Sequence, residues 1–294
     1  MTTTRDQTFR IAGGRVGILL FHSLGGTPAE LRYVANGLGR AGYTVHCPQI
    51  AGHCGTEAEL AGTRWQDWLA SAEAAVEEMA ETCSVIIAGG QSTGAVLALM
   101  LAARRPDIVD ATALLSPTLS GNGWGIPWYA ALFRLVETRT VAALFRFPLG
   151  LAGGVKDARV REFLLAARAK GDSAGAGLDA TPGTSVLEHR RLVRALEPLL
   201  GRIRQPTLIL HAREDDVAHL DNAWRLQAKL SGPVEMTVLD DSFHMISIDR
   251  QRHVVLDRAL AFLSRIANRP QSRRPADTSA PAVVELGAAA ALVA

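Results

Sequence analysis

The chain has 294 residues, 48% hydrophobic and 20% charged, with 31 basic residues against 29 acidic ones for a formal net charge of +2. That length and apolar content suffice for one large core, and only Lys156, Lys170 and Lys229 are lysines, the arginines being dispersed among the acids, so no basic face points to nucleic acid. Cys47, Cys54 and Cys83 lack C-x-x-C spacing, which argues against a disulfide framework or a structural zinc, and a polar N-terminus with no run near the ~18 apolar residues of a membrane span predicts a cytoplasmic protein without stable membrane insertion.

Along the chain, strand and helix signals alternate, the pattern of an α/β protein with a mostly parallel twisted sheet flanked by helices on both faces. An apolar run, Ile18-Leu19-Leu20-Phe21, is followed by Thr27-Pro28-Ala29-Glu30, which reads as an N-cap, a proline at the first helical position and a capping-box glutamate. Leu31, Val34, Ala35 and Leu38 then line one helix face, and Trp65, Trp68, Leu69, Ala72, Val76 and Met79 make a second such stripe.

The segment from Val85 to Ala103 carries the most chemistry. Gly90-Gln91-Ser92-Thr93-Gly94 follows the apolar run Val85 to Gly89 and precedes the helix-forming run Ala95 to Ala103. A bare G-x-S-x-G is an ordinary glycine-serine turn in many chains; between a strand and a helix it is the setting that exposes a nucleophilic serine on a strained turn, with glycines letting strand and helix approach. The helix after Ser92 is apolar nearly all round, which suits burial against the sheet, and Val109 to Leu115 reads as the next strand.

The alternation then breaks. An insertion of turns and short helices, about 117–205, is rich in large apolar residues that include Trp124, Trp128, Leu132, Phe133, Leu135, Leu144, Phe145 and Phe147. Most of these are expected to form the insertion's own small core, with Trp124 and Trp128 as candidates for the wall of an acyl pocket. Gly171, Gly175, Gly177, Pro182 and Gly183 suggest a mobile surface stretch.

After Pro206, the strand Thr207-Leu208-Ile209-Leu210 runs into His211-Ala212-Arg213-Glu214-Asp215-Asp216, which places an acid in the loop after a buried strand. A helix from Asp221 to Leu230 and a strand from Val234 to Leu239 lead to Asp240-Asp241-Ser242-Phe243-His244. A serine hydroxyl is a weak nucleophile without a base, an acid that orients the base, and oxyanion donors, and Ser92, Asp215 and His244 supply the first three in chain order. A last amphipathic helix spans about Arg252 to Ala267. The hydrolase domain is therefore expected to cover 1–268, and 269–294, broken by Pro270, Pro275 and Pro281, reads as a disordered tail.

Ser…Asp…His is the chain order of the α/β-hydrolase fold. Over roughly 9–268 the sequence resembles that superfamily, and within it the bacterial carboxylesterases and monoacylglycerol lipases. The resemblance rests on Ile18 to Gly26 (a strand ending in a His-Gly-like loop), Gly42-Tyr43-Thr44-Val45, Gly52-His53-Cys54-Gly55, the serine elbow, the acid loop and the terminal histidine loop. Ser23 and Cys54 depart from the family's usual glycines, which affects the shape of the oxyanion loop and pocket. The resemblance implies a helical lid in the insertion, and an oxyanion hole made by the backbone N–H groups of Leu24 and Thr93. Both amides would also lie at the sheet edge where Ser92 emerges.

Each site residue has a rival. His22 and His53 read as structural histidines; His211, His219 and His253 do not follow the final strand, where the base belongs. Asp216 competes with Asp215, whose spacing from His211 matches the family; Asp240 and Asp241 read as solvated turn residues. No cofactor or metal is expected. Three readings stay open: a carboxylic-ester hydrolase acting on a small-molecule ester, another reaction of the same triad (thioester cleavage, C–C bond hydrolysis or acyl transfer), and a non-catalytic ligand-binding or sensor protein on the same fold.

Overall fold

The computed structural model describes residues 6–150 and 153–268, so the tail expected at 269–294 lies outside the described residues. In chain order, β1 (Phe9–Ile11) and β2 (Val16–Phe21) are followed by a 3₁₀ turn (Pro28–Leu31), α1 (Arg32–Arg40) and β3 (Thr44–Cys47). Next come α2 (Glu57–Gly62), α3 (Trp65–Ala80), β4 (Val85–Gln91), α4 (Thr93–Arg104) and β5 (Ala111–Leu115). The insertion holds a 3₁₀ segment (Trp128–Leu135), α5 (Arg139–Ala142), β6 (Arg146–Pro148), α6 (Ala158–Ala169), α7 (Ser173–Ala176), β7 (Ala180–Pro182), α8 (Gly183–Leu196) and a 3₁₀ turn (Glu197–Arg202). The chain then returns to the sheet with β8 (Thr207–Ala212), α9 (Asp221–Lys229), β9 (Val234–Leu239) and α10 (Arg252–Ala267).

Seven strands form one sheet in the order β1-β3-β2-β4-β5-β8-β9, parallel except for the edge pairing of β1 with β3. The central strands β4 and β5 are buried at every position, as strands covered on both faces must be, which is why they read as continuous apolar runs. Leu31, Val34 and Leu38 join Phe262 and Leu263 of α10 on one face; Trp68, Val76, Leu97, Leu192 and Leu226 pack on the other. Because the strands run parallel in register, with Phe21 opposite Gly90, Leu115 opposite Leu210 and Ala212 opposite Leu239, the loops after β2, β4, β8 and β9 leave the sheet along one edge.

Two expectations change in detail. Thr27 does cap, its hydroxyl accepting from Ala29 N at 3.3 Å ahead of Pro28, but it opens a 3₁₀ turn, and Glu30 points its carboxylate at Ser23. The insertion is also more structured than turns and short helices. β6 and β7 pair antiparallel, and α8 is a 14-residue helix that buries Leu187, Leu192, Val193 and Leu196. The glycine-rich stretch forms α7 and β7, and Leu178 N donates to Gly25 O at 2.9 Å, which ties it to the loop after β2.

Candidate active site

Ser92 sits at the apex between β4 and α4 with φ 57° and ψ −115°, a backbone conformation that a residue with a Cβ rarely adopts. The surrounding structure determines it: Ser92 N donates to Leu115 O at 2.8 Å, and a Cβ added at Gly90 or Gly94 would collide with the carbonyl oxygen of Phe21. The two glycines are thus required by close backbone approach, and the elbow holds Ser92 Oγ at the edge shared by the other loops.

Ser92 Oγ lies 2.9 Å from His244 Nε2, and His244 Nδ1 lies 2.8 Å from Asp215 Oδ2 and 3.0 Å from its Oδ1. With the proton on Nδ1, the imidazole donates to Asp215 and leaves Nε2 to accept from the serine. Asp215 is itself fixed, its Oδ1 accepting from Val217 N at 2.9 Å and Ala218 N at 2.7 Å. Burial pulls the His244 pKa down, but the charge and hydrogen bond of Asp215, helped by Asp216 and Glu30, outweigh it and raise it above the usual 6.5. Burial pushes the Asp215 carboxyl up, and His244 beside it more than reverses that, so it stays ionised.

The rival carboxylate has a different task. Asp216 accepts from Gly154 N at 3.0 Å and from His244 N at 3.3 Å, so it binds backbone and not the imidazole. Asp240 pairs with Arg213, and Asp241 with Lys156 and Arg250, at exposed positions. His22 is buried between Ser23 O, 3.0 Å from Nδ1, and Ile50 N, which donates to Nε2 at 3.2 Å; burial drops its pKa to about 3. His53 is likewise buried, 3.1 Å from Ala51 O, with its pKa down at about 4.

Leu24 and Thr93, read as oxyanion donors, lie in the loop after β2 and at the first position of α4, where the N–H groups of a helix's first turn have no partner within the helix. The Leu24 loop is held by a contact that the sequence did not mark. Glu30 is buried and its carboxylate accepts from Ser23 N at 2.6 Å and Ser23 Oγ at 2.9 Å; burial raises its pKa to about 7 although both bonds oppose the shift. Its spacing from Thr27 had suggested a capping role, and the nearby Ser23 departure was the available signal.

Three more groups lie close to the relay, of which only His211 stood out in the sequence. Thr118 Oγ1 lies 3.1 Å from Ser92 Oγ, His189 Nδ1 lies 3.1 Å from Thr93 Oγ1, and His211 Nε2 lies 2.7 Å from Ala218 O and 3.3 Å from Asp215 Oδ2. Thr118 and His189 meet the site through tertiary packing, whereas His211, in β8, reaches Asp215 four residues along the chain.

A cavity of about 260 Å³ opens beside Ser23 and Leu24 and reaches Met245, the residue after His244. Its walls are mostly apolar, with Leu149, Val160, Phe163, Leu164 and Leu178 contributed by the insertion, while Glu30 and Arg168 bring charge. Trp124 and Trp128 do not line it. Trp124 donates its indole N–H to Glu214 O at 2.8 Å and packs edge-on against Phe243, which makes it a brace between the acid and histidine loops; Trp128 is 83% exposed. Among the described residues no group of three or more His, Cys, Asp or Glu is placed to hold a metal, and no helix is long and apolar enough to cross a membrane.

Comparison with known proteins agrees with this fold. The alpha/beta hydrolase fold family matches residues 17–251. A thermostable monoacylglycerol lipase from Bacillus sp. strain H-257 is 29% identical over 262 residues, 89% of this chain and 95% of the lipase. A carboxylesterase from Bacillus subtilis strain 168 is 22% identical over 90% of this chain and 99% of its own length. Among solved structures, one reported for metagenome-derived lipolytic enzymes superposes with a TM-score of 0.73 at 27% identity, covering 88% of this chain and 97% of the other. The Paleococcus ferrophilus monoacylglycerol lipase gives 0.73 at 16% identity, covering 89% of this chain and 99% of its own, a likeness of fold.

Proposed function

The chain belongs to the alpha/beta hydrolase fold family, and from that premise we propose that it is a carboxylic-ester hydrolase of the lipase and esterase type, acting through an acyl-enzyme on Ser92 and taking short-to-medium apolar acyl chains. The observation that carries this reading is the continuous relay from Ser92 Oγ to His244 Nε2 at 2.9 Å and from His244 Nδ1 to Asp215 Oδ2 at 2.8 Å.

Ser92 Oγ attacks the ester carbonyl while its proton passes to His244 Nε2. The carbonyl oxygen becomes an oxyanion, which the N–H groups of Leu24 and Thr93 stabilise. His244 then gives the proton to the leaving alkoxide, and an alcohol departs. A water, deprotonated by the same imidazole, attacks the acyl-serine and releases the acid and the free serine. Asp215 keeps the proton on Nδ1 throughout and stabilises the imidazolium that forms in each half-reaction.

The apolar wall from Leu149, Val160, Phe163, Leu164 and Leu178 supports the acyl preference, and in this reading the insertion at about 117–205 is the lid over the serine. The proposed compartment is the cytoplasm, in keeping with Cys47, Cys54 and Cys83 as buried thiols. The test is labelling with a fluorophosphonate probe followed by mapping of the adduct, then ranking p-nitrophenyl esters from acetate to palmitate beside acyl-CoA thioesters. A Ser92 adduct with ester turnover well above thioester turnover is expected. An unlabelled, inactive protein would favour a ligand-binding role, and faster thioester cleavage would replace the esterase reading.

A further inference from the structure

The loop that carries His244 is stitched to the insertion by two buried carboxylates. Asp249, with no exposed surface, accepts four backbone N–H groups: Phe243 N at 2.7 Å and Lys156 N at 2.9 Å on Oδ2, Asp157 N and Arg250 N at 2.9 Å each on Oδ1. Asp216 repeats the pattern one residue along, taking Gly154 N on one oxygen and His244 N on the other. Asp249 thus holds two amides of the insertion and Asp216 one, and each also holds an amide beside or at the histidine, Phe243 N or His244 N.

Four further contacts reinforce the seam. Met245 N donates to Gly154 O at 2.7 Å, and Lys156 Nζ reaches Glu214 at 2.7 Å and Asp241 at 3.2 Å while lying over the Phe243 ring. Gly154 has φ 77°, and a Cβ there would press on Met245 Cγ at 2.7 Å, so the strap lies directly against the residue after the histidine.

We propose that Asp249 is a positioning residue for His244: it registers the histidine loop against the 153–157 strap, so the imidazole meets Asp215 and Ser92 only while the insertion is docked. The charge of Asp249 suits this task, because a carboxylate offers enough lone pairs for four amides and forms strong bonds to backbone N–H groups in a dry setting. The strap also forms part of the substrate cavity, whose wall includes Gly153, Met245 and Ile248. A chain seated there touches both sides of the seam, which links filling of the cavity to the placement of the base. This inference rests on the esterase reading.

Asp249→Asn tests it. In either orientation the amide turns its NH₂ group towards two backbone N–H groups, and one half of the stitch opens. The expected result is a fall in kcat of about tenfold or more on p-nitrophenyl butyrate with KM within about twofold, since the base moves and the cavity remains. The acid limb of the kcat/KM profile should move to lower pH, because an imidazole that loses Asp215 loses what raises its pKa. The downfield proton NMR signal of the His244 Nδ1–H should weaken or shift.

A folded Asp249→Asn protein with a lower melting temperature but unchanged kcat, pH limb and proton signal would make Asp249 a structural anchor only and overturn the proposal; so would a rise in KM alone. If Asp249→Asn does not fold, Asp216→Asn, which opens the same seam by one bond, is read by kcat and the proton signal and decides, the pH limb being set aside because the charge of Asp216 acts on His244 directly. Wild-type turnover and Ser92 labelling test the esterase reading separately. Their absence would sink that reading, while the proton signal in wild type and variant would still report whether the stitch holds the imidazole.

Discussion

Two helices of twelve residues each, α4 and α6, show how differently the two halves of this molecule are built. α4, Thr93–Arg104, follows the serine and buries every residue from Thr93 to Ala102. α6, Ala158–Ala169, lies in the insertion and buries none, with Phe163 72% exposed although it also lines the cavity. The serine elbow rests on an element clamped by the sheet, and the cavity wall, which would face substrate in the proposed esterase, rests on one that surrenders little packing if it shifts. A site that must hold a serine, a base and two donors to fractions of an ångström needs the first kind of support, whereas a wall that admits chains of various lengths gains from the second.

The sharpest break of this comparison is in the relay itself. Ser92→Ala and His244→Ala should each reduce ester turnover by ~10⁴–10⁶ and Asp215→Asn by ~10⁴, with far-UV circular dichroism unchanged, since these groups act as a unit. Asp216→Asn should cost only about tenfold, because it holds amides and not the imidazole. If the Asp216 variant proved the worse of the two acids, with both proteins folded, the acid assignment would move.

Stability separates the two helices next. Leu97→Ala on α4 should cost about 2–5 kcal/mol in urea unfolding, the usual range for a buried leucine with little room to collapse. Phe163→Ala on α6 should stay within about 0.5 kcal/mol, as for an exposed position away from caps and networks. Equal losses would mean that α6 is held by more than its packing shows.

What was legible in the sequence follows the same division. β4, the elbow and α4 could be read because burial on all sides leaves an apolar run with glycines at the two points of closest approach, Gly90 and Gly94. The order Ser92, Asp215, His244 could be read because each residue ends or follows a strong strand signal. Glu30 was visible only as a capping residue, since its real partner, Ser23, lies across a turn that no periodicity marks. Asp249, His189 and Thr118 were silent for the same reason: the contacts that tie them to the insertion or to the serine elbow span 26 to 96 residues, and a hydrogen bond over that separation leaves no local pattern. The insertion was the least legible. Trp124 and Trp128 looked like pocket walls because they are large and apolar, but an aromatic can equally brace two loops, as Trp124 does with Phe243 and Glu214.

A pH series probes the clamped half. Turnover needs His244 neutral in the free enzyme, and its pKa is raised above 6.5, so kcat/KM should fall about tenfold per pH unit on an acid limb that begins above 6.5. Glu30 has a separate signature in stability. Its folded pKa of about 7 exceeds the ordinary 4.5, so wild type loses stability as pH rises from about 4.5 through 7, where the unfolded chain ionises first and the buried group is then forced to follow. Glu30→Gln keeps an acceptor for Ser23 N and cannot ionise, so its melting temperature should gain on wild type between pH 5 and 8. A parallel pH trend for the two proteins would show that Glu30 does not titrate in that window.

The smallest effect concerns the wall. Each methylene buried in a dry apolar cavity contributes ~0.8 kcal/mol, so catalytic efficiency should rise by up to about fourfold per methylene added from acetate esters to about C6 or C8 and then level off where the cavity ends. The residues that set this slope are the ones the cavity touches. Leu164→Ala or Leu178→Ala should flatten it or shift its limit to longer chains, because each removes wall surface facing the chain. Trp128→Ala should leave the slope as in wild type, since that ring lies outside the cavity. Ranking p-nitrophenyl esters against the three variants reads the difference directly: a slope that falls with Trp128 and survives loss of Leu178 would place the acyl chain under the exposed aromatic face and not beside the oxyanion loop, and a wild-type preference for acetate over hexanoate would remove the apolar acyl site altogether while leaving the relay untouched.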